Sequence, residues 1–277
     1  MGHHYLPQRL LRGFAHDEKY IWMLDMRSFD QPRSLPIVRV AHEPGMYTEE
    51  LEGKLNDEIE QPFNAVLDRL ECGKDLIAQD TDVLSRYVLT MYRRVPKGRD
   101  RSREALPGVS QQVERANLAQ LDEMERQGED PDLVQRARQN VSQIHARLRE
   151  DPTRLWHDTL QPEIFPRVFG ALRQMSWTLW KAAPGRQLLI GDNPVLFDEA
   201  RGIGHARGEV LFPIRSDALL VASWQVSGQR QLTVQQTRLV NARSVAGAQR
   251  WVFFERHESW IVPFARKTVE QGQPVST

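Results

Sequence analysis

Residues 209–224, EVLFPIRSDALLVASW, decide the fold class of this chain. Within this stretch the apolar run 218–224 is of the strand type. Three further runs of the same type lie in this part of the chain: 188–190, 209–212 and 251–254. Together they predict a sheet in the C-terminal portion, residues 186–266.

The opening residues predict a β-hairpin. Its two strands, 20–24 and 37–41, are separated by Pro32, Ser34 and Pro36, which are typical of a turn. With the C-terminal strands they indicate an α+β fold, in which an N-terminal β-hairpin and a C-terminal mixed sheet flank a large helical insertion. We expect the hairpin to join or flank that sheet.

The insertion is predicted to be helical over residues 51–182, because apolar residues recur there at spacings of three and four. One helix is expected to follow Asp80, which would be its N-cap, and to end near Pro96. The charged residues 97–104 then predict a linker. A later block, 164–180, is apolar over a wide arc, which predicts a helix that belongs to the core.

Residues 111–150 predict a helical hairpin, since the segment 128–131 (Gly-Glu-Asp-Pro) is a strong stop-and-restart signal. The apolar stripes on its two helices are as narrow as a coiled-coil seam. Two interpretations remain open: a hairpin that stands partly out of the body, or an amphipathic cover for the sheet. The first would recruit a protein partner or a second copy of the chain.

The composition limits the functional classes. The chain has 277 residues, and its 37 basic and 37 acidic side chains give a formal net charge of zero, which argues against binding nucleic acid by bulk electrostatics. A single cysteine, Cys72, excludes an intramolecular disulfide. No apolar segment approaches the ~20 residues of a membrane span. We expect one cytoplasmic domain, residues 1–277, with a disordered tail at 268–277.

Four short motifs together resemble one family. They are His4-Tyr5-Leu6-Pro7-Gln8, Ile59-Glu60, Arg94-Val95-Pro96 and Gly191-Asp192-Asn193-Pro194-Val195. This combination is similar to the bacterial domain-of-unknown-function family numbered 4238, whose late helix also carries an asparagine, here Asn241. The family has serine where this chain has Gly191, so a nucleophilic serine is excluded at that position. The resemblance implies family membership and no particular activity.

Three of these motif residues have both a structural and a functional interpretation. His4 either caps the first helix or serves as a general base or metal ligand. Asp192 and Asn193 follow a strand, where they either bond back to their own turn or hold a metal, a water or a ribose hydroxyl.

The remaining candidates are also ambiguous. Glu60 precedes Pro62, where the helix kinks or restarts, and its carboxylate either satisfies freed main-chain groups or faces a pocket. Arg93 and Arg94 end a helix, where cations suit the negative end of the dipole. With nearby basic residues they also form a patch that suits phosphate.

The first hypothesis from these residues is that the protein is a phosphodiester hydrolase, similar to a nuclease. His4, Glu60, Asp192 and Asn193 would be catalytic, and Gln8, Arg93 and Arg94 would bind the substrate, with nucleic acid as partner and a divalent metal as candidate cofactor. The metal and its ligands stay unassigned. The alternative is a non-catalytic binding or regulatory module, in which the same residues form a sealed hydrogen-bond network.

Overall fold

The computed structural model describes residues 2–150, 152–225 and 228–272. Its helices and strands form an α+β fold, as the sequence predicts. The chain divides into two compact units, one of Met1–Pro96 with Pro162–Thr277 and the other of Lys97–Gln161. In the described part of the chain, no helix is both long enough and apolar enough to span a bilayer.

The strands lie near the two ends of the chain. In chain order they are β1 (Gly2–His4), β2 (Tyr20–Asp25), β3 (Arg33–Pro36), β4 (His42–Pro44), β5 (Ser176–Lys181), β6 (Ile190–Gly191), β7 (Leu196–Phe197), β8 (Glu209–Arg215), β9 (Ala218–Ser223), β10 (Arg230–Gln231) and β11 (Trp251–Phe254).

The helices fill the middle of the chain and flank the C-terminal strands. They are α1 (Gln8–Arg12), α2 (Glu49–Lys54), α3 (Gln61–Glu71), α4 (Asp80–Arg94), α5 (Pro96–Arg126), α6 (Pro131–Glu150), α7 (Pro152–Asp158), α8 (Pro166–Gln174), α9 (Val234–Gly247) and α10 (Ile261–Glu270). A π-helical segment, Leu55–Glu60, lies between α2 and α3.

The stretch 209–224 forms the centre of a five-stranded sheet with the order β10-β5-β9-β8-β7. β8 and β9 pair antiparallel, and every residue of β9 is buried. A strand covered on both faces needs no alternation of apolar and polar residues, which explains the apolar run. β10 pairs parallel with β5 whereas the other pairs are antiparallel, so the sheet is mixed.

The N-terminal hairpin joins C-terminal strands in a second, four-stranded sheet with the order β3-β2-β11-β6. β11 pairs antiparallel with β2 on one side and with β6 on the other. Leu24, Val252 and Phe254 from these strands are fully buried and share a core cluster with Ile261 of α10. The two ends of the chain are therefore joined by main-chain hydrogen bonds.

The second strand of the hairpin is not where the sequence places it. β3 ends at Pro36, and the following residues Ile37–Arg39 form a 3₁₀ turn instead of a strand over 37–41. The Ile37 side chain is buried while Val38 is 58% exposed. Ile37 can bury its β-branched side chain while it lies in this turn. That burial outweighs the general preference of β-branched residues for strands.

The helical prediction for 164–180 is wrong in its second half. α8 ends at Gln174, and Ser176–Lys181 form β5, which pairs with β9 along its whole length. The helical portion therefore ends before residue 182, and the C-terminal sheet begins before residue 186. In the sequence, the apolar residues of α8 and of β5 follow one another without an evident break. Only the pairing of β5 with a neighbouring strand distinguishes it from a continued helix.

The predicted linker at 97–104 is helical. Pro96 opens α5, a position that suits proline because its missing N–H would have no helical partner there. The charged residues that follow favour helices, and Gly98 alone costs only about 1 kcal/mol. The disordered tail is also wrong in part, because α10 extends to Glu270. Residues 273–277 of that prediction lie outside the described residues.

The helical hairpin expected at 111–150 is present as α5 and α6, joined at Gly128, which has a φ of +86°. Arg138 of α6 donates to Asp122 at 2.5 Å and to Glu125 at 2.7 Å, both on α5. Near the turn, Leu121 and Val134 are buried. Farther along, Val113 and Ile144 are 46% and 54% exposed, so only part of the predicted stripe is covered.

Gly191 of β6 is in close contact with the end of α9. A Cβ atom at residue 191 would lie 2.8 Å from the carbonyl oxygen of Ser244 and 3.2 Å from the Cβ of Ala248. The first distance is shorter than carbon–oxygen contacts allow. A serine at this position therefore would not fit without a shift of α9, and glycine is explained by packing.

We expect Gly191→Ala to lower the free energy of unfolding by about 1–3 kcal/mol, because α9 must move away from β6. Urea denaturation followed by circular dichroism measures the change. Gly53→Ala is the control, since Gly53 lies in α2 with nothing near its Cβ position; it should stabilise by about 0.5–1 kcal/mol. Equal effects of the two substitutions would contradict the close packing.

Candidate functional site

Glu60 is placed by an irregularity in its helix. Pro62 has no N–H, and its ring would press on the carbonyl of residue 58 in a regular α-helix. The chain widens into the π-helical segment Leu55–Glu60, and α3 follows with Pro62 in its first turn. Glu60 and Gln61 keep right-handed helical backbone, so the helix passes through this irregularity without ending and restarting. π segments of this kind occur often at functional positions.

Arg94 is the centre of the site, and its side chain is 1% exposed at the end of α4. Its Nη1 donates to Glu60 Oε1 at 2.5 Å, and its Nη2 donates to the main-chain oxygen of His4 at 2.7 Å. The Tyr47 hydroxyl donates to the Arg94 carbonyl oxygen at 2.5 Å. The guanidinium thus joins β1, the π-helical segment and α4.

A second carboxylate, Glu52, completes this group. Its Oε2 lies 3.9 Å from Arg94 Nη2, and burial raises the pKa of Glu52 above its ordinary value. Burial opposes the charge on Arg94 too, but the attraction of Glu60 outweighs it and raises the pKa of Arg94. We refer to His4, Tyr47, Glu52, Glu60 and Arg94 as the Arg94 cluster.

The His4 ring is half-buried on β1, directly across from His42 on β4, with 5.6 Å between the ring centroids. Burial, His42 and Arg94 lower the pKa of His4 below 6.5, so the imidazole is neutral at pH 7. Buried polar atoms without a hydrogen-bond partner among the described residues include His4 Nε2, Glu52 Oε2 and Arg94 Nε. Each such atom costs about 1–3 kcal/mol of desolvation.

Asp192 and Asn193 form a different group. Asp192 Oδ1 accepts from the Gln249 N–H at 2.7 Å, and Oδ2 accepts from the N–H groups of Arg250 and Trp251 at 2.9 Å each. Asn193 Nδ2 donates to the Gly247 carbonyl at 3.3 Å. Both side chains therefore bond across to the end of α9 and the start of β11, which lie beside β6.

Tyr5 links the two groups electrostatically. Its phenol is buried, and burial together with the negative charges of Asp192 and Glu43 raises the pKa of Tyr5. The residue after His4 therefore experiences the charge of the Asp192 carboxylate. Because the two motifs lie near opposite ends of the chain, the sequence also predicts that His4 lies within about one side chain's reach of Asp192 or Asn193; this stays a prediction.

The two remaining candidates lie elsewhere. Arg93 stacks on the ring of Phe165, with its guanidinium carbon 3.3 Å from the ring centroid, and lines a cavity of about 350 Å³ with Tyr92 and Arg167. It therefore does not share the environment of Arg94, its neighbour in sequence. Gln8 is the first residue of α1 and is half-buried.

Tyr47 and Glu52 were missed by sequence reasoning. Neither belongs to a recognisable motif; the only local signal is Thr48, whose hydroxyl caps α2 and so marks where the helix that carries Glu52 begins. Among the residues that the structure describes, no three His, Cys, Asp or Glu side chains are grouped so as to hold a metal ion.

The fold and the site define an α+β protein in which an N-terminal histidine strand is anchored on a buried arginine–glutamate pair. The chain belongs to the family described as protein of unknown function (DUF4238), which matches residues 2–258. The resemblance drawn from the motifs is confirmed. Comparisons with curated proteins and with solved structures found no match.

The family motifs correspond to the long-range contacts. His4, Glu60 and Arg94 meet in one cluster although they come from three motifs. Asn241 accepts from the Leu189 N–H and donates to the Gln187 carbonyl, which ties α9 to the chain leading into β6. Each motif therefore has a structural role that is visible in its hydrogen bonds.

We expect Arg94→Met to lower the free energy of unfolding by about 3 kcal/mol, because Glu60 keeps a largely buried charge without its partner. The double variant Arg94→Met/Glu60→Gln removes that charge and should recover part of the loss. Guanidinium denaturation of the single and double variants measures both. A double variant that is less stable than Arg94→Met would refute the pairing as the source of the loss.

The lowered pKa of His4 predicts a pH dependence of stability. The unfolded chain takes up a proton near pH 6.5, whereas the folded state resists it, so this contribution to stability is lost as pH falls below about 6.5. His4→Asn removes that contribution, and its stability should fall less steeply than that of the wild type on acidification. Melting temperatures measured between about pH 7 and pH 5 test this; parallel curves would contradict it.

Proposed function

We propose that this protein is a non-catalytic binding module whose polar motifs lock the fold. The observation that carries the proposal is Asp192, which is 3% exposed and accepts three main-chain N–H groups with its two carboxylate oxygens. A carboxylate committed in this way has little remaining capacity for a metal ion or a transferred proton.

Arg94 supports the same conclusion. A cationic clamp for phosphate must reach its ligand, whereas this guanidinium is enclosed by protein and bonded to Glu60 and to the His4 carbonyl. Buried charges that are paired and hydrogen-bonded contribute to the specificity of packing more than to net stability. In this proposal the role of the Arg94 cluster is to hold the N-terminal strand β1 in place.

The helical hairpin supplies the binding surface in this proposal. Its helices carry apolar side chains that are about half exposed: Val109, Val113, Leu133 and Ile144. Val109 and Val113 are four residues apart and so lie on one face of α5. Adjacent exposed apolar side chains favour a protein partner or a second copy of the chain. With a net charge of zero, nucleic acid is the less favoured partner.

The competing function is the phosphodiester hydrolase. Its support is the neutral, half-buried His4 beside Arg94, since a neutral imidazole is suited to act as a general base. Asp192→Asn separates the two proposals. An amide offers only one acceptor oxygen and turns an NH₂ group toward main-chain donors, so we expect a loss of about 3 kcal/mol in the free energy of unfolding.

The matched control is Asp198→Asn. Asp198 Oδ1 accepts from the N–H groups of Ala200 and Arg201 within its own turn, where asparagine can replace aspartate, so the change should stay below about 1 kcal/mol. Wild-type protein is assayed in parallel with RNA and with single- and double-stranded DNA in Mg²⁺, Mn²⁺ and Zn²⁺. We expect no hydrolysis.

Hydrolysis by the wild type that disappears in Asp192→Asn, at unchanged melting temperature, would overturn the binding module and favour the hydrolase. A cytoplasmic location, inferred from the composition, stays a prediction that fractionation of cells producing the protein would test.

A further inference from the structure

An open groove runs between α9 and α10. It consists of two adjoining cavities of about 400 and 690 Å³, both lined by Val234, Arg238, Phe264 and Lys267. These volumes lie within the range of small-molecule sites. The Trp260 and Phe264 rings pack edge to face on the α10 side, with 5.5 Å between their centroids, so the wall there is apolar and preformed.

The charged side chains that line the groove are basic. Arg186, Arg238 and Lys267 line it, and of the described residues around the two cavities none is Asp or Glu. The charge of the nearby Glu258 is paired with Arg256, whose Nε lies 3.5 Å from Oε1, and the carboxylate also accepts from Gln187 and Trp260. The groove therefore favours an anion.

One end of the groove adds to this preference. Val234 is the first residue of α9, whose N-terminus is closed by a capping box between Thr233 and Gln236. The N-terminal end of a helix carries a partial positive charge. Together with the three cationic side chains it places positive potential beside an apolar wall.

The polar side chains on the floor of the groove are fully occupied within the protein. Thr237 Oγ1 donates to the Thr233 carbonyl and accepts from the Ala183 N–H. Asn241 and Gln187 are each bonded at both amide atoms to other parts of the chain. These three buried side chains are therefore committed within the protein, whereas Gln235 and Gln271 lie at the exposed rim of the second cavity. The body of the ligand then meets the apolar wall formed by Trp260 and Phe264.

We infer that this groove binds an amphipathic anion with a hydrocarbon body and a single carboxylate, of the medium-chain fatty-acid class. The body lies against Phe264 and Trp260, and the carboxylate lies among Arg238, Lys267 and Arg186. The inference goes beyond the proposed function, which places a protein partner or a second copy on the helical hairpin, because it assigns a small-molecule ligand to a separate groove. An acidic peptide offers the same charge, but it would bring main-chain groups that this floor cannot pair.

The experiment uses isothermal titration calorimetry of the full chain with three probes of the same length: decanoate, decanol and decyltrimethylammonium, each below its micelle concentration. We expect decanoate to bind more tightly than decanol by at least about tenfold, and the cationic probe not to bind. Arg238→Gln/Lys267→Gln should weaken decanoate binding by about tenfold or more while changing decanol binding less than about threefold.

Two further variants test the position without disturbing the fold. Val234→Glu adds an anion in the groove while suiting the start of α9, and should weaken decanoate binding about tenfold. Val234→Lys has a similar length and should not weaken it. Arg207→Gln removes an exposed cation from a different loop and should leave binding unchanged.

Absence of decanoate binding, equal binding of decanol, or equal effects of Val234→Glu and Val234→Lys would each overturn the groove assignment. Binding of an acidic amphipathic peptide in place of decanoate would overturn it as well. A different result, hydrolysis of nucleic acid that depends on Asp192, would contradict the proposed function. A protein that neither hydrolyses nucleic acid nor binds decanoate would remove only the ligand assignment.

Discussion

The ion pair between Arg94 and Glu60 is the interaction on which the rest of the first unit depends. A buried guanidinium loses its hydration, and an opposite charge and hydrogen-bond acceptors at fixed positions must compensate for that loss. Glu60 comes from the π-helical segment and the second contact from the His4 carbonyl. A single side chain therefore sets the positions of three segments that are far apart in sequence.

A second constraint operates at the other end of the chain. Asp192 accepts hydrogen bonds from three main-chain N–H groups between α9 and the start of β11. Asn241 is hydrogen-bonded to the main chain just before β6. Between these two anchors β6 pairs with β11, and β11 pairs with β2 of the N-terminal hairpin. The polar motifs thus close the four-stranded sheet, whose strands come from both ends of the chain.

This arrangement changes how the motifs are interpreted. Histidine, aspartate, glutamate and arginine in short motifs suggest catalysis, because those side chains perform acid–base chemistry in many enzymes. Here Asp192 and Arg94 are almost completely enclosed. Asp192 accepts from main-chain N–H groups, and Arg94 is bonded to Glu60 and to the His4 carbonyl. Surfaces that are free to meet a ligand lie elsewhere, on the helical hairpin and in the groove along α10.

The sequence by itself determined the elements whose signals are local: the apolar strand β9, the hairpin turn at Gly128, an irregularity of the helix before Pro62, and the family. It placed β3 a few residues too late and took β5 for helix, since a strand of that kind is defined by its partner. Asp192 pairs with groups 57 to 59 residues away, and Arg94 with residues 34 and 90 away. Only the tertiary structure decides such contacts, because no local pattern records which distant donor will lie beside a given carboxylate.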